Sequence, residues 1–276
     1  MKISDIFCDT FEALRRQVTP EVRLASCIVP DPLMVTATRS DDSDFCRETV
    51  EKGWLSEEQM AHAAERYRLG RSRSGKCIFW MIDELGRVHD GRIGDSWVSM
   101  MLRSRKPELL RYWQSSHCLF GLHLINDTLR YDTERGSYEN ENQNQNEKPN
   151  GNGTRSYEGV SVVEREESAV ILSEVLPEQV WMATGRPADF TIDMLLPLRG
   201  HPIMVFPPTD PTMSNFVFWL EMADQARRQY HLDIEVNPLL EDKASAEEKE
   251  RKIDVAEFIC ATKRDATKRS GAPTKR

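Results

Sequence analysis

No stretch of this sequence approaches the ~18 apolar residues that crossing a bilayer requires, so no membrane partner is expected. The opening residues Met1-Lys2-Ile3-Ser4-Asp5 lack the apolar core of an export signal, and the expected location is cytoplasmic. Cysteine is sparse and scattered: Cys8, Cys27, Cys46, Cys77, Cys118 and Cys260 contain no C-x-x-C pair. That spacing argues against a zinc ribbon and, with no export signal, against a disulfide framework. What the chain does have is a 39% hydrophobic fraction with 10 Phe and 6 Trp, enough for a packed core rather than a disordered chain. Its 276 residues allow one large domain or two ordinary ones.

Charge is unevenly spread. Residues 262–276 hold Lys263, Arg264, Lys268, Arg269, Lys275 and Arg276 against Asp265 alone, and repeat Thr-Lys-Arg three times. The tail carries +5, which leaves −13 on the rest of a chain whose net charge is −8. A basic arm on an acidic body suits phosphate, because each contact releases counterions. The same composition also describes a solvated tail that touches nothing specific.

A second break falls at residues 139–153, with six Asn, two Gln, three Glu and two Gly and no aliphatic or aromatic side chain. Such a stretch cannot offset its ordering entropy and reads as a linker, set here at 136–158. It separates an N-terminal region, 1–135, from a domain at 159–261, with the basic tail, 262–276, read as disordered. In the first region Ile6, Phe7, Phe11 and Leu14 recur at helical spacing. Ser56-Glu57-Glu58-Gln59 is a capping box that opens a helix. The apolar run Cys77–Ile82, the turn Asp83-Glu84-Leu85-Gly86 and a strand at 87–93 predict a β-hairpin, so this region reads as α+β.

The second region alternates. Strands are predicted at Val160–Val163, Val180–Ala183, 202–206 and Ile234–Val236. Helices are predicted at 166–176, 189–196, along the stripe Phe216, Trp219, Leu220, Ala223, Ala226 and Tyr230, and at 253–260 after the capping box Ser245-Ala246-Glu247-Glu248. Short apolar strands alternating with helices mean βαβ units and a mostly parallel sheet, an α/β domain. Ligands of such sheets sit beyond the carboxyl ends of the strands. Glu164 follows the first strand and Asp210 the third, so the two are candidates to share Mg²⁺ or to act in acid–base chemistry.

Several segments in this order resemble the Toprim domain of primases, topoisomerases and related nucleases. More narrowly they resemble a Toprim-like, primase-related family of bacterial mobile elements. The segments are Tyr67-Arg68-Leu69-Gly70, Phe79–Asp83, Gly91-Arg92-Ile93, Cys118–Leu124, Val163–Ala169, Trp181–Gly185, Phe206–Asp210 and Lys252–Ala256. The resemblance implies a Rossmann-like sheet. It also implies Glu164 as general acid or base and Asp210 as the second aspartate of a Mg²⁺-holding D-x-D pair.

The motif is altered, however. Pro208 stands for the first aspartate, Glu167 for an expected Lys, Arg186 for the second Gly of T-G-G, and Leu122 for an expected Glu. The expectation is therefore a degenerate, non-catalytic domain in a nucleic-acid-associated accessory protein. The alternatives are an active Mg²⁺-dependent primase- or nuclease-like enzyme using Glu164 and Asp210, and a protein-interaction module. Glu166 is a possible replacement carboxylate, or a solvated residue of a helix.

Lys76, Arg87 and Arg92 on the hairpin, near Arg71 and Arg73, together with Lys263, Arg264, Lys268 and Arg269, are the candidate contacts to DNA or RNA. Replication or mobilisation proteins are candidate partners. His117 and His123 flank an apolar segment and read as structural, and Trp181 and Trp219 as core. Gly70-x-x-x-x-Gly75-Lys76-Cys77 precedes a strand and lacks the terminal Ser/Thr, so it is not a P-loop.

Overall fold

The computed structural model describes residues 32–105, 117–125, 130–132, 137–139, 159–187 and 190–270. The helix expected at Ile6–Leu14 and most of the Asn-rich linker lie outside these residues. Among the described residues three helices come first: α1 (Pro32–Thr38), α2 (Asp44–Glu51) and α3 (Glu57–Arg66). Ser43 caps α2 by accepting from the Cys46 N–H, and Ser56 and Gln59 close the expected capping box on α3. Met60, Ala63, Ala64 and Tyr67 recur at three- and four-residue spacing and are all buried, which seats α3 on the core.

An antiparallel meander follows, β1 (Gly70–Arg71), β2 (Cys77–Ile82), β3 (Val88–Ile93) and β4 (Ser96–Trp97), leading into α4 (Val98–Arg105). All six residues of β2 are buried, and successive side chains point to opposite faces. Ile78, Trp80 and Ile82 pack with Met34, Val35, Val88 and Val98, while Cys77, Phe79 and Met81 join the main core. This strand is therefore covered on both faces, and its lack of polar alternation follows from that. A short hairpin pairs β5 (Arg130–Asp132) with β6 (Ser137–Glu139).

The second sheet holds β7 (Val160–Val163), β8 (Val180–Ala183), β9 (Ile203–Val205) and β10 (Ile234–Val236), all parallel, in the order β10-β9-β7-β8. The connections are α5 (Glu166–Val175), a 3₁₀ helix (Ile192–Leu198) and α6 (Ser214–Tyr230). The α-helix expected at 189–196 is thus a 3₁₀ turn shifted towards the carboxyl end. Pro197 lies inside it, and a proline cannot supply the amide an α-helix needs. After β10 come α7 (Leu239–Lys243), α8 (Ala246–Glu250) and α9 (Val255–Ser270). Helix α9 runs to Ser270, so the basic segment expected to be unstructured is helical over its first part. Cations in the last turns of a helix are favoured by its dipole.

The two sheets share one core. Phe120 exchanges backbone hydrogen bonds with Ala183 at 2.9 and 3.0 Å, and His123 N donates to Ile82 O at 3.2 Å, so residues 117–125 stitch the edge of the parallel sheet to the meander. The Phe120 ring stacks on Tyr67 and meets Phe79 edge-on. The Tyr67 hydroxyl donates to Trp181 O at 2.7 Å. His123, Trp181 and Trp219 are buried as expected. Among the described residues no helix is long and apolar enough to cross a membrane. The described residues form a mixed α/β protein with a four-stranded parallel sheet, a four-stranded antiparallel sheet and the separate β5–β6 pair.

Candidate functional site

The chain leaves β7 for β8 on one side, then crosses back to β9 on the other. The crevice beyond the carboxyl ends of β7 and β9 is therefore the switch point at which such sheets bind ligands. Glu164 and Phe206–Asp210 leave those two ends. The Glu164 side chain is half-buried, and no hydrogen bond from the described residues reaches it. Burial raises its pKa, Arg165 opposes the rise, Asp254 adds to it and Arg92 opposes it. The net direction is upward.

Asp210 is in a different state. It is 3% exposed, and its carboxylate accepts from Thr212 N at 2.8 Å, Thr212 Oγ1 at 2.5 Å and Asn215 N at 2.8 Å. Burial alone would raise its pKa, but the donors on Asn215, Thr212 and Ser214 outweigh burial and hold it far below the usual carboxylate range. Both oxygens are occupied in closing the turn into α6. Met213, which precedes that helix, has φ +58° and gives no side-chain cap, so Asp210 supplies the missing acceptors. Pro208 offers no side-chain ligand, and no group of three or more metal-ligating side chains occurs among the described residues.

The turn from β7 into α5 is built from charge pairs. Arg165 binds Asp254 through Nε, at 2.7 Å, and through Nη2, and Ser168 Oγ donates to the same oxygen. The other oxygen of Asp254 accepts from Glu257 N at 3.0 Å, at the start of α9. Glu166, read from sequence as a replacement ligand or a solvated residue, is neither solvated nor free: it is 1% exposed and pairs with Arg92. Arg92 Nη1 donates to its two oxygens at 2.9 and 3.0 Å. Burial pushes the Glu166 pKa up to about 7 against the pull of Arg92.

The turn after β8 lies over this pair. Gly185 has φ +76°, and a Cβ there would meet Arg92 Nη1 and Glu166 Oε1, each at 3.6 Å. Arg186 Nη2 reaches back to Asp95 at 2.6 Å, in the β3–β4 turn. Two arginines thus cross between the sheets in opposite directions.

These contacts redistribute the expected nucleic-acid contacts. Arg92 is committed to Glu166, and Arg87 Nε to Asp83 at 2.6 Å, so neither is a free cation on a sheet face. Lys76 is exposed. Lys263 Nζ donates to Val175 O at 2.9 Å, at the end of α5, a favourable place for a cation. Arg264 is exposed. Lys268 and Arg269 lie on the last turns of α9, with side chains outside the described set. Of the candidates whose side chains are described, Lys76 and Arg264 are therefore exposed with no ion pair to another described residue.

Sequence reasoning missed Asp254 and the Arg92–Glu166 pair, whose partners are 89 and 74 residues apart. The available signal was the pair of adjacent carboxylates Glu166 and Glu167 at the head of the otherwise apolar helix Glu166–Val175. No curated protein matches the sequence. The model of a domain of unknown function, DUF6371, matches residues 45–133 and 153–209, which take in Arg92, Glu164, Glu166 and Gly185 and cover more than half of the chain; the chain belongs to that family.

Proposed function

We propose that this chain is a nucleic-acid-associated accessory protein of a bacterial mobile element, built on a Toprim-like domain kept without its metal chemistry. The observation that carries the reading is the state of Asp210. Its carboxylate is saturated by the turn it closes, and the neighbouring ligand position is Pro208. The parallel order β10-β9-β7-β8 with Glu164 at the end of a central strand supports the Toprim-like part. Association with DNA or RNA takes its support from Arg264 and the basic residues that follow it on an otherwise acidic chain. Replication or mobilisation proteins are the class of protein partner.

A second reading, Mg²⁺-dependent phosphoryl transfer, draws on Glu164, whose half-buried carboxyl with a raised pKa suits a general acid. Calorimetric titration of Mg²⁺ into the wild-type protein and Glu164→Gln separates the two. The proposal expects no saturable heat from either protein up to millimolar Mg²⁺. Saturable binding in the wild type that disappears in Glu164→Gln would move the assignment to the second reading.

A further inference from the structure

The charge left unexplained lies at one end of α5. Helix α3 runs antiparallel to α5: His62 meets Glu174 at 2.6 Å near the end of α5, while the Tyr67 hydroxyl lies 3.4 Å from Ala169 O, nearer its start. Helix α9 runs parallel to α5, from Asp254 beside Arg165 and Ser168 to Lys263 on Val175 O. The acidic first turn of α3 and the basic second half of α9 therefore overhang the same end of α5.

Beside that first turn, α2 and α3 enclose a groove of about 400 Å³ lined by Asp41, Asp42, Cys46, Arg47, Val50, Glu51, Glu57, Met60 and Ala61. Its floor is apolar. Arg47 is paired with Asp42 at 3.0 Å, and no cation among the described residues pairs with Asp41, Glu51 or Glu57. Capped helices on both sides fix the walls.

We infer that this groove is the seat of the chain's own carboxyl-terminal segment, with the Lys275 or Arg276 stem on Val50 and Met60 and its charge against Asp41, Glu51 and Glu57. An apolar floor with a carboxylate rim matches a long basic side chain, which buries its methylenes and keeps its head at the edge. Helix α9 carries the chain about 10 Å past Lys263, and residues 271–276 span up to about 20 Å more. Tethering supplies a millimolar effective concentration, so a weak contact suffices. If the tail also binds nucleic acid, as the proposed function holds, groove and phosphate compete for it.

The test is backbone ¹⁵N relaxation on the full chain at low salt. The seat predicts order parameters near 0.8 for the amides of Thr274, Lys275 and Arg276, falling below about 0.6 in 0.5 M NaCl, in Asp41→Asn/Glu51→Gln/Glu57→Gln and in Lys275→Gln/Arg276→Gln. The tail variant leaves the groove untouched and guards against misfolding of the groove variant. Tail amides that are already flexible in the wild type overturn the inference. Order that appears only as protein concentration rises assigns the groove to a second copy's tail and overturns it equally. The groove variant should also bind a labelled oligonucleotide several-fold more tightly. If the tail is released without that gain, the seat stands and the nucleic-acid reading of the tail falls.

Discussion

Glu166 offers a direct reading of the balance between burial and ion pairing, through the substitution Glu166→Gln. Gln keeps the size of the side chain and an acceptor for Arg92 but cannot ionise. In the wild type the folded-state pKa of about 7 stands above the ordinary value of 4.5, so the native state holds this proton more tightly than the unfolded chain does. The corresponding stability is intact below pH 4.5 and drains away as pH rises through 7. A separation of that size corresponds to about 3 kcal/mol at 1.36 kcal/mol per pH unit. Glu166→Gln does not lose it.

Urea unfolding of both proteins at pH 4.5, 5.5, 6.5 and 7.5 should therefore show the variant gaining about 3 kcal/mol on the wild type across the series and levelling off above pH 7. Effects of other titrating groups cancel in the difference. Parallel stability curves would mean that Glu166 titrates as it does in the unfolded chain. A variant that loses ground as pH rises would mean that Arg92 overcompensates burial, and either result refutes the reasoning. Arg92→Met should extend the wild-type decline beyond pH 7 by about 1.4 kcal/mol per pH unit, because the carboxyl then keeps its proton to higher pH.

Asp210→Ala removes the acceptors that close the turn into α6 and should cost about 2 kcal/mol in urea unfolding at pH 7. Because the folded pKa of Asp210 is depressed, its contribution is present at neutral pH and lost as pH falls below 4. Asp210→Asn should accordingly flatten the acid limb of the stability curve, and an unchanged limb would count against the saturated turn. Gly121→Ala combines a φ of +84° with a Cβ only 3.0 Å from Tyr67 Cε1 and 3.1 Å from Trp181 O, whereas at Gly86, φ +78°, nothing lies within 4 Å. Backbone strain alone costs about 1–2 kcal/mol, so thermal or urea unfolding should show Gly121→Ala losing clearly more than Gly86→Ala, and equal losses would show that the stitch between the sheets is not tight.

Much of the fold was legible because it is local. The strands Val160–Val163, Val180–Ala183 and Ile234–Val236 lie where their apolar runs put them, and the boxes at Ser56 and Ser245 open α3 and α8. The site was legible only in outline. Glu164 and Asp210 do leave the carboxyl ends of β7 and β9, but sequence position says nothing about which donors a carboxylate meets. Three donors from its own turn and the first residues of α6 consume Asp210, whereas Glu166, in a helix turn that looked solvated, is buried beneath Gly185 with Arg92 from the other sheet. Lys263, one of the tail cations, reads from sequence as free for phosphate. It is spent on Val175 O, a contact created only when α9 packs along α5.

Fluorescence anisotropy of a labelled duplex between 50 and 300 mM salt tests the central claim most directly. The titration compares the full chain with a variant in which Arg264, Lys268, Arg269, Lys275 and Arg276 are all changed to Gln. If those five side chains contact phosphates, log K should fall against log salt with a slope of about −4.5, and the variant should lose most of the affinity and nearly all of the slope. Binding that is absent from the wild type, or equal in both proteins with a shallow slope, would contradict a nucleic-acid role for the basic residues of 264–276.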